Sequence, residues 1–126
     1  MSERQIIEAF WEMMETNNFY AAAELLHDDF VLEWPQSGER IRGRDNFAAL
    51  NTAYPAAGTW HFRINRIVSE HDSVVTDVSV TDGKRTDRAI TFSNIRDGMI
   101  WKQIEFWPAP FESPAWRAQW VEKIPG

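Results

Sequence analysis

Between residues 4 and 15, Ile7, Phe10, Trp11 and Met14 recur at three- and four-residue intervals, with Glu8, Glu12 and Glu15 between them. This is the pattern of an amphipathic helix with one face turned to a core. Asn17-Asn18 interrupts it. Phe19, Ala22, Leu25 and Leu26 predict a second helix, ended by His27-Asp28-Asp29. Phe30–Trp34 reads as a short strand, Pro35–Gly38 as a turn, and Arg40-Ile41-Arg42 as a brief extended piece closed by Gly43. Asp45 is placed to cap a third helix with Phe47, Leu50 and Tyr54 on its buried face. Pro55 stops that helix, because the residue before a proline disfavours helical backbone.

From Thr59 the period changes to two. Trp60, Phe62 and Ile64 alternate with His61, Arg63 and Asn65, and the alternation slips at Arg66-Ile67-Val68, which predicts a bulge. A second strand over 74–81 carries Val74, Thr76, Val78 and Val80 on one face, read as the core side, and Asp77 and Ser79 on the other. Asp82-Gly83 predicts a hairpin turn. A third long strand over 85–95 leads to a second turn at Asp97-Gly98, and a fourth runs over 99–107. Long strands joined by short turns make an antiparallel meander. After Trp107-Pro108-Ala109-Pro110, Ser113-Pro114 reads as an N-cap with proline at the first helical position. Trp116, Trp120 and Ile124 follow at four-residue steps and predict a short amphipathic helix.

Helices first and a long meander after them form an α+β pattern. The expected architecture is one domain over residues 1–126, a strongly curved, antiparallel-rich sheet wrapped by the N-terminal helices around a pocket. Composition adds one feature: seven Trp and eight Phe in 126 residues, which points either to a heavy core or to a lined cavity plus an interface. The net charge of −6 argues against nucleic acid and against an anionic membrane surface. With no cysteine, neither a disulfide nor a thiol nucleophile is available. No apolar run approaches a membrane span or a signal core, so the expected location is cytoplasmic.

The first chemical candidate is Glu105. Its phase on the last strand matches Met99, Trp101, Gln103 and Trp107. A carboxylate among aromatics on a pocket face is desolvated, which raises its pKa and suits it to proton transfer at a carbon acid, an epoxide or a hydroxyl. The competing reading is a strand glutamate in solvent or paired with an arginine. Asp77 is the second candidate; if its face lines the cavity, it and Glu105 form a carboxylate pair, and otherwise it is an exposed strand residue. His61 is a mid-strand proton shuttle if its face is the pocket face, and a surface histidine otherwise. Tyr54 is placed to reach a carbonyl oxygen, and Trp34, Trp60, Trp101 and Trp107 to line an apolar site for a flat ligand, with core or dimer contact as the alternative. None of His27, His61 and His71 has metal-motif spacing. The expectation is no bound metal and no cofactor.

Leu26-His27-Asp28-Asp29-Phe30-Val31, then Trp34-Pro35 with Gly38 and Gly43, then Asp97-Gly98-Met99-Ile100 are similar, in order and spacing, to the SnoaL-like polyketide-cyclase group of the nuclear-transport-factor-2-like superfamily. The tail Phe111–Arg117 resembles tails of other members. The resemblance covers nearly the whole chain. It implies a cone-shaped α+β barrel with a deep pocket, often dimeric through the sheet, in a superfamily of cyclases, isomerases, epoxide hydrolases, dehydratases and proteins without known activity. It also implies an acidic residue seven positions after the glycine of the last hairpin, which here is Glu105, one methylene longer than the usual aspartate. Two family mechanisms lack their residues. Asp77 and Ser79 stand where the epoxide hydrolases have arginine and aspartate. Trp34 stands before Pro35, where the steroid isomerases carry their base, and Glu33 beside it points to the other side of the strand.

Three functions remain open at this point. The chain is a cofactor-free acid/base enzyme on a small hydrophobic, ring-containing molecule, or a binding protein for such a molecule without turnover, or an interaction module working through its sheet and its Trp116/Trp120 tail. A homodimer is expected in each case.

Overall fold

The computed structural model describes residues 1–125. Helix α1 (Glu3–Glu15) buries Ile6, Ile7, Phe10, Trp11 and Met14, the stripe its spacing predicts. Ser2 caps it: its hydroxyl accepts from Gln5 N at 3.1 Å, and Gln5 Oε1 accepts from Ser2 N at 2.9 Å. Such a reciprocal box is worth about 1 kcal/mol. Asn17, in the left-handed region at φ 61, turns the chain, and the Asn18 side chain accepts from Ala21 N to start α2 (Phe19–Ala23).

Helix α2 is shorter than the apolar spacing suggests. Leu26 and His27-Asp28-Asp29 belong to strand β1 (Leu26–Trp34), not to a helix and its end. The Leu25 carbonyl accepts from Ile100 N at 3.0 Å, so a partner 75 residues away captures the backbone where a longer helix would have continued. An apolar run of this length satisfies either structure, and tertiary pairing decides. Strand β2 (Glu39–Arg42) pairs with β1, and α3 (Arg44–Ala53) follows. Asp45 lies in its first turn; Gly43 takes the cap position at φ 87, a backbone conformation available to glycine. Phe47 and Ala48 are buried, whereas Tyr54 falls just beyond the helix and is 44% exposed.

Strands β3 (His61–Glu70), β4 (Ser73–Thr81), β5 (Thr86–Arg96) and β6 (Met99–Phe106) form the meander. Beyond it, β6 pairs in parallel with β1, giving the sheet order β2-β1-β6-β5-β4-β3. The sheet is curved but not closed, with β2 and β3 as edges, so the barrel implied by the family resemblance is an open one. The β3 bulge falls between Ile64 and Arg66, slightly before the predicted slip. A second bulge lies in β6: Ile95 faces Ile100, but Asn94 faces Lys102, so Trp101 is the extra residue.

One face of the sheet carries Val74, Val78 and Val80 of β4, Ala89 and Ile95 of β5, and Ile100 of β6, all buried with the helices in one core. The opposite face is polar around Asp77 and Arg88 and apolar around Phe92, which meets Phe106 edge-on at 6.2 Å. After Pro114 the chain forms a 3-10 turn (Ala115–Trp120) that buries no residue; Trp116 and Trp120 are 72% and 71% exposed. The predicted amphipathic helix is thus reduced to one 3-10 turn that ends before Ile124, and among the described residues nothing covers Trp116 or Trp120.

Candidate functional site

A cavity of about 670 Å³ opens between the helices and the sheet. Phe10, Trp11 and Met14 of α1, Phe47 and Leu50 of α3, and Trp60 and Phe62 at the start of β3 supply apolar wall. Gln36, Ser37, Glu39, Tyr54 and Arg85 line its exposed rim. Two anchors shape it. Asn17 brackets Trp60, accepting from Trp60 N at 2.9 Å and donating to Trp60 O at 2.8 Å, which fixes the entry to β3. Asp82 accepts from the backbone of Ala57 (2.9 Å), Lys84 and Arg85 (3.0 Å each), tying the loop after α3 to the β4–β5 hairpin. These three backbone N–H groups hold the Asp82 carboxyl down at about 2. Gly58 permits the approach: a Cβ there would sit 2.9 Å from the Asp82 carbonyl oxygen.

Glu105 lies in this cavity and is 6% exposed. Its Oε1 accepts from two indole N–H groups, Trp34 Nε1 and Trp107 Nε1, each at 3.0 Å. Its Oε2 accepts from the Thr91 hydroxyl at 2.6 Å. Trp34 reaches it through the parallel β1–β6 pairing, and Thr91 stands directly opposite it on β5. Trp107 is held in turn by Gln36, whose Oε1 accepts from Trp107 N at 2.6 Å. All three partners of Glu105 are neutral. Burial pushes its pKa above the ordinary glutamate value, and the bonds from Thr91, Trp34 and Trp107 pull against that rise.

The donor set decides where a proton can sit. An indole N–H only donates, so Oε1 is saturated as an acceptor. A hydroxyl both donates and accepts, so Oε2 can carry the proton and hand its hydrogen bond to Thr91. Glu105 is therefore a titratable group with one reactive oxygen, held by rigid aromatic partners. Beside it Gln103, also buried and lining the cavity, donates from Nε2 to Ser93 Oγ at 3.2 Å. Thr76, opposite Thr91 on β4, has a buried hydroxyl without a partner among the described residues.

Trp34, Tyr54, Trp60 and Trp107 line the cavity with Glu105. Three other residues singled out from the sequence do not. The β6 bulge takes Trp101 out of phase with Gln103 and Glu105, and its ring lies under the Arg96 guanidinium at 5.1 Å. Asp77 projects from the other face of β4, because the valine face is the one under the helices. It is bound there by Arg88 (2.8 and 2.5 Å), which holds its carboxyl below the usual range, so it forms no pair with Glu105. His61 is exposed beside α1, with Nδ1 2.7 Å from Glu15 Oε1, since Trp60 and Phe62 take the cavity side of that strand. The sequence pattern does not single out Thr91, shows Gln103 only as a phase-mate of Glu105 and Asn17 only as a helix break, and marks none of them as a site residue. Thr91 and Ser93 did leave a trace, as polar residues in the inward phase of β5 between Ala89 and Ile95. Among the described residues no group of three His, Asp or Glu side chains is placed to hold a metal ion, and no helix is long and apolar enough to cross a membrane.

The family model of the SnoaL-like domain matches residues 7–103. The chain belongs to this family. The SnoaL-like match stops before Glu105 and Trp107, so the acid lies just outside the matched segment. Among solved structures, the chain is similar to a candidate ketosteroid isomerase from Kribbella flavida, with 28% identity, 98% of this chain and 90% of that one covered, and a TM-score of 0.89. It is also similar to an NTF-2 like protein of unknown function from Burkholderia xenovorans, at 32% identity over 98% and 95% of the two chains with a TM-score of 0.80. An LEH-like epoxide hydrolase from M. tuberculosis shares the fold at 22% identity, 84% and 82% coverage and a TM-score of 0.68. No curated protein matches the chain.

Proposed function

We propose that this SnoaL-like protein binds a small, hydrophobic, ring-containing molecule and transfers a proton on it, with Glu105 as the acid/base and no cofactor. The supporting observation is a buried carboxyl group with three neutral donors, set in an aromatic cavity, whose Oε2 is paired only with a hydroxyl that can also accept a hydrogen bond when that oxygen is protonated. A buried acid with a raised pKa can protonate or deprotonate a substrate near neutral pH, which is what an isomerase, cyclase or dehydratase requires. Trp34 and Trp107 would steady the ionised state, Thr91 would follow the proton, and Trp60 and Tyr54 would position the ring. The Kribbella protein's description as a candidate ketosteroid isomerase is consistent with this class of reaction.

The same donors suit a receptor that holds its ligand without turnover. Glu105→Gln separates the two. Loss of turnover with ligand binding retained supports the enzyme, whereas equal turnover in both proteins on any substrate removes Glu105 from the chemistry. We also propose that two copies associate, using the apolar part of the open sheet face around Phe92 and Phe106 and the exposed Trp116 and Trp120. A monomer by sedimentation at high micromolar concentration would refute the association.

A further inference from the structure

The charged side chains lining the cavity are three carboxylates and one guanidinium: Glu39, Asp87, Glu105 and Arg85. The single cation is already engaged, with Arg85 Nε 2.9 Å from Asp87 Oδ2. Among the described residues, Glu105, at depth, has neutral hydrogen-bond partners only, and no lysine or histidine lines the cavity. Nine of the lining side chains are aromatic. An ionised carboxylate without a countercharge in a dry space raises the local cation affinity. Aromatic rings add to it through their quadrupoles, most strongly where the cation is desolvated. An anionic ligand would meet repulsion from Glu105 below and Glu39 at the rim.

We propose that the cavity takes an organic cation, a ring-containing molecule whose ammonium group lies against Glu105 and the surrounding aromatic rings. This rests on the reading of Glu105 as the working group of the cavity and names the ligand class for it. A neutral carbonyl ligand would need Glu105 protonated, to donate. A cation needs it ionised. The two classes therefore couple to protons with opposite sign. Cation binding releases a proton from any Glu105 that carries one and strengthens as pH rises through its titration. Neutral-acceptor binding weakens over the same interval. The other titratable or charged groups lining the cavity are Glu39, Tyr54, Arg85 and Asp87, from β2, the end of α3 and the β4–β5 hairpin.

The test compares benzyltrimethylammonium, whose charge is permanent, with neopentylbenzene, its neutral isostere, by calorimetry on the full chain. Because the two have nearly the same shape, the cavity's apolar contacts cancel. The cation is expected to bind about tenfold or more tightly than the isostere at mildly alkaline pH. In mildly acidic buffers of differing ionisation enthalpy it should release protons. Glu105→Gln should abolish the preference and the proton release while leaving neopentylbenzene binding unchanged. Equal binding of the two probes, no measurable binding of either, or a preference that survives in Glu105→Gln would overturn the proposal. Proton release is read on the unmodified protein, so the result does not depend on the variant folding. If the neutral probe is preferred and Glu105→Gln still abolishes turnover on a neutral ring ketone, the ligand class is wrong and the acid/base reading stands. If the variant changes neither binding nor turnover, both fall.

Discussion

Replacing Glu105 with glutamine should make the protein more stable at neutral and alkaline pH. The glutamine carbonyl can accept both indole N–H groups, as Oε1 does, and its amide can donate to Thr91 Oγ, so the substitution imitates the protonated acid. Ionised Glu105 gains more from its three donors than a neutral group would, by about 1–1.5 kcal/mol each and so roughly 3–5 kcal/mol together. Against this stands the removal of a carboxylate from water, still several kcal/mol after relaxation. Desolvation wins, and the folded-state pKa lies above the unfolded one. In that case the folded state binds the extra proton, so stability falls as pH rises from the unfolded value through the folded one. Each unit of that interval costs about 1.4 kcal/mol. Chemical denaturation of both proteins across mildly acidic to mildly alkaline pH measures the difference directly. Their free energies should converge below the ordinary glutamate range and diverge above it, with the variant on top. Parallel curves would mean that Glu105 is not desolvated in solution, and the acid/base proposal would lose its foundation.

Trp34→Phe keeps an aromatic wall but removes one donor. The ionised form of Glu105 should lose roughly 1.5–3 kcal/mol, seen as an upward move of its carboxyl-carbon titration by NMR; an unmoved midpoint would contradict the bond. Asp82→Asn should lower the melting temperature at neutral pH, because one oxygen facing a backbone N–H becomes a donor. Since Asp82 is held at about 2, its contribution is present above the ordinary aspartate value and fades as pH falls toward 2, so the gap between the melts should close there. Phe10, 1% exposed in the core and on the cavity wall, should cost about 3–5 kcal/mol when cut to alanine, measured by denaturant unfolding. Truncation after Pro110 should change monomer unfolding by less than about 0.5 kcal/mol, because the final 3-10 turn buries nothing; a larger loss would show packing beyond that described above.

What the sequence determined by itself is what depends on neighbours along the chain. The α1 stripe, the valine face of β4, and the turns at Asp82-Gly83 and Asp97-Gly98 follow from local period and local turn chemistry, whereas the period left Glu105 open between a buried and a solvent-facing position. The motifs 26–31, 34–43 and 97–100, taken in order, pointed to the SnoaL-like family that the chain belongs to. Tertiary structure decided the rest. A side chain's face alternates every residue, so the single extra residue at Trp101 separated it from Gln103 and Glu105, although a strict period of two places all three together. Leu26 left its expected helix because a non-local backbone partner, Ile100, was available. Trp34 meets Glu105, and Asn17 meets Trp60, across 71 and 43 residues, and no periodicity encodes such pairings. Asp77 and His61 were legible as titratable strand residues, but only the placement of the helices determines which face of the sheet becomes the cavity and which meets solvent.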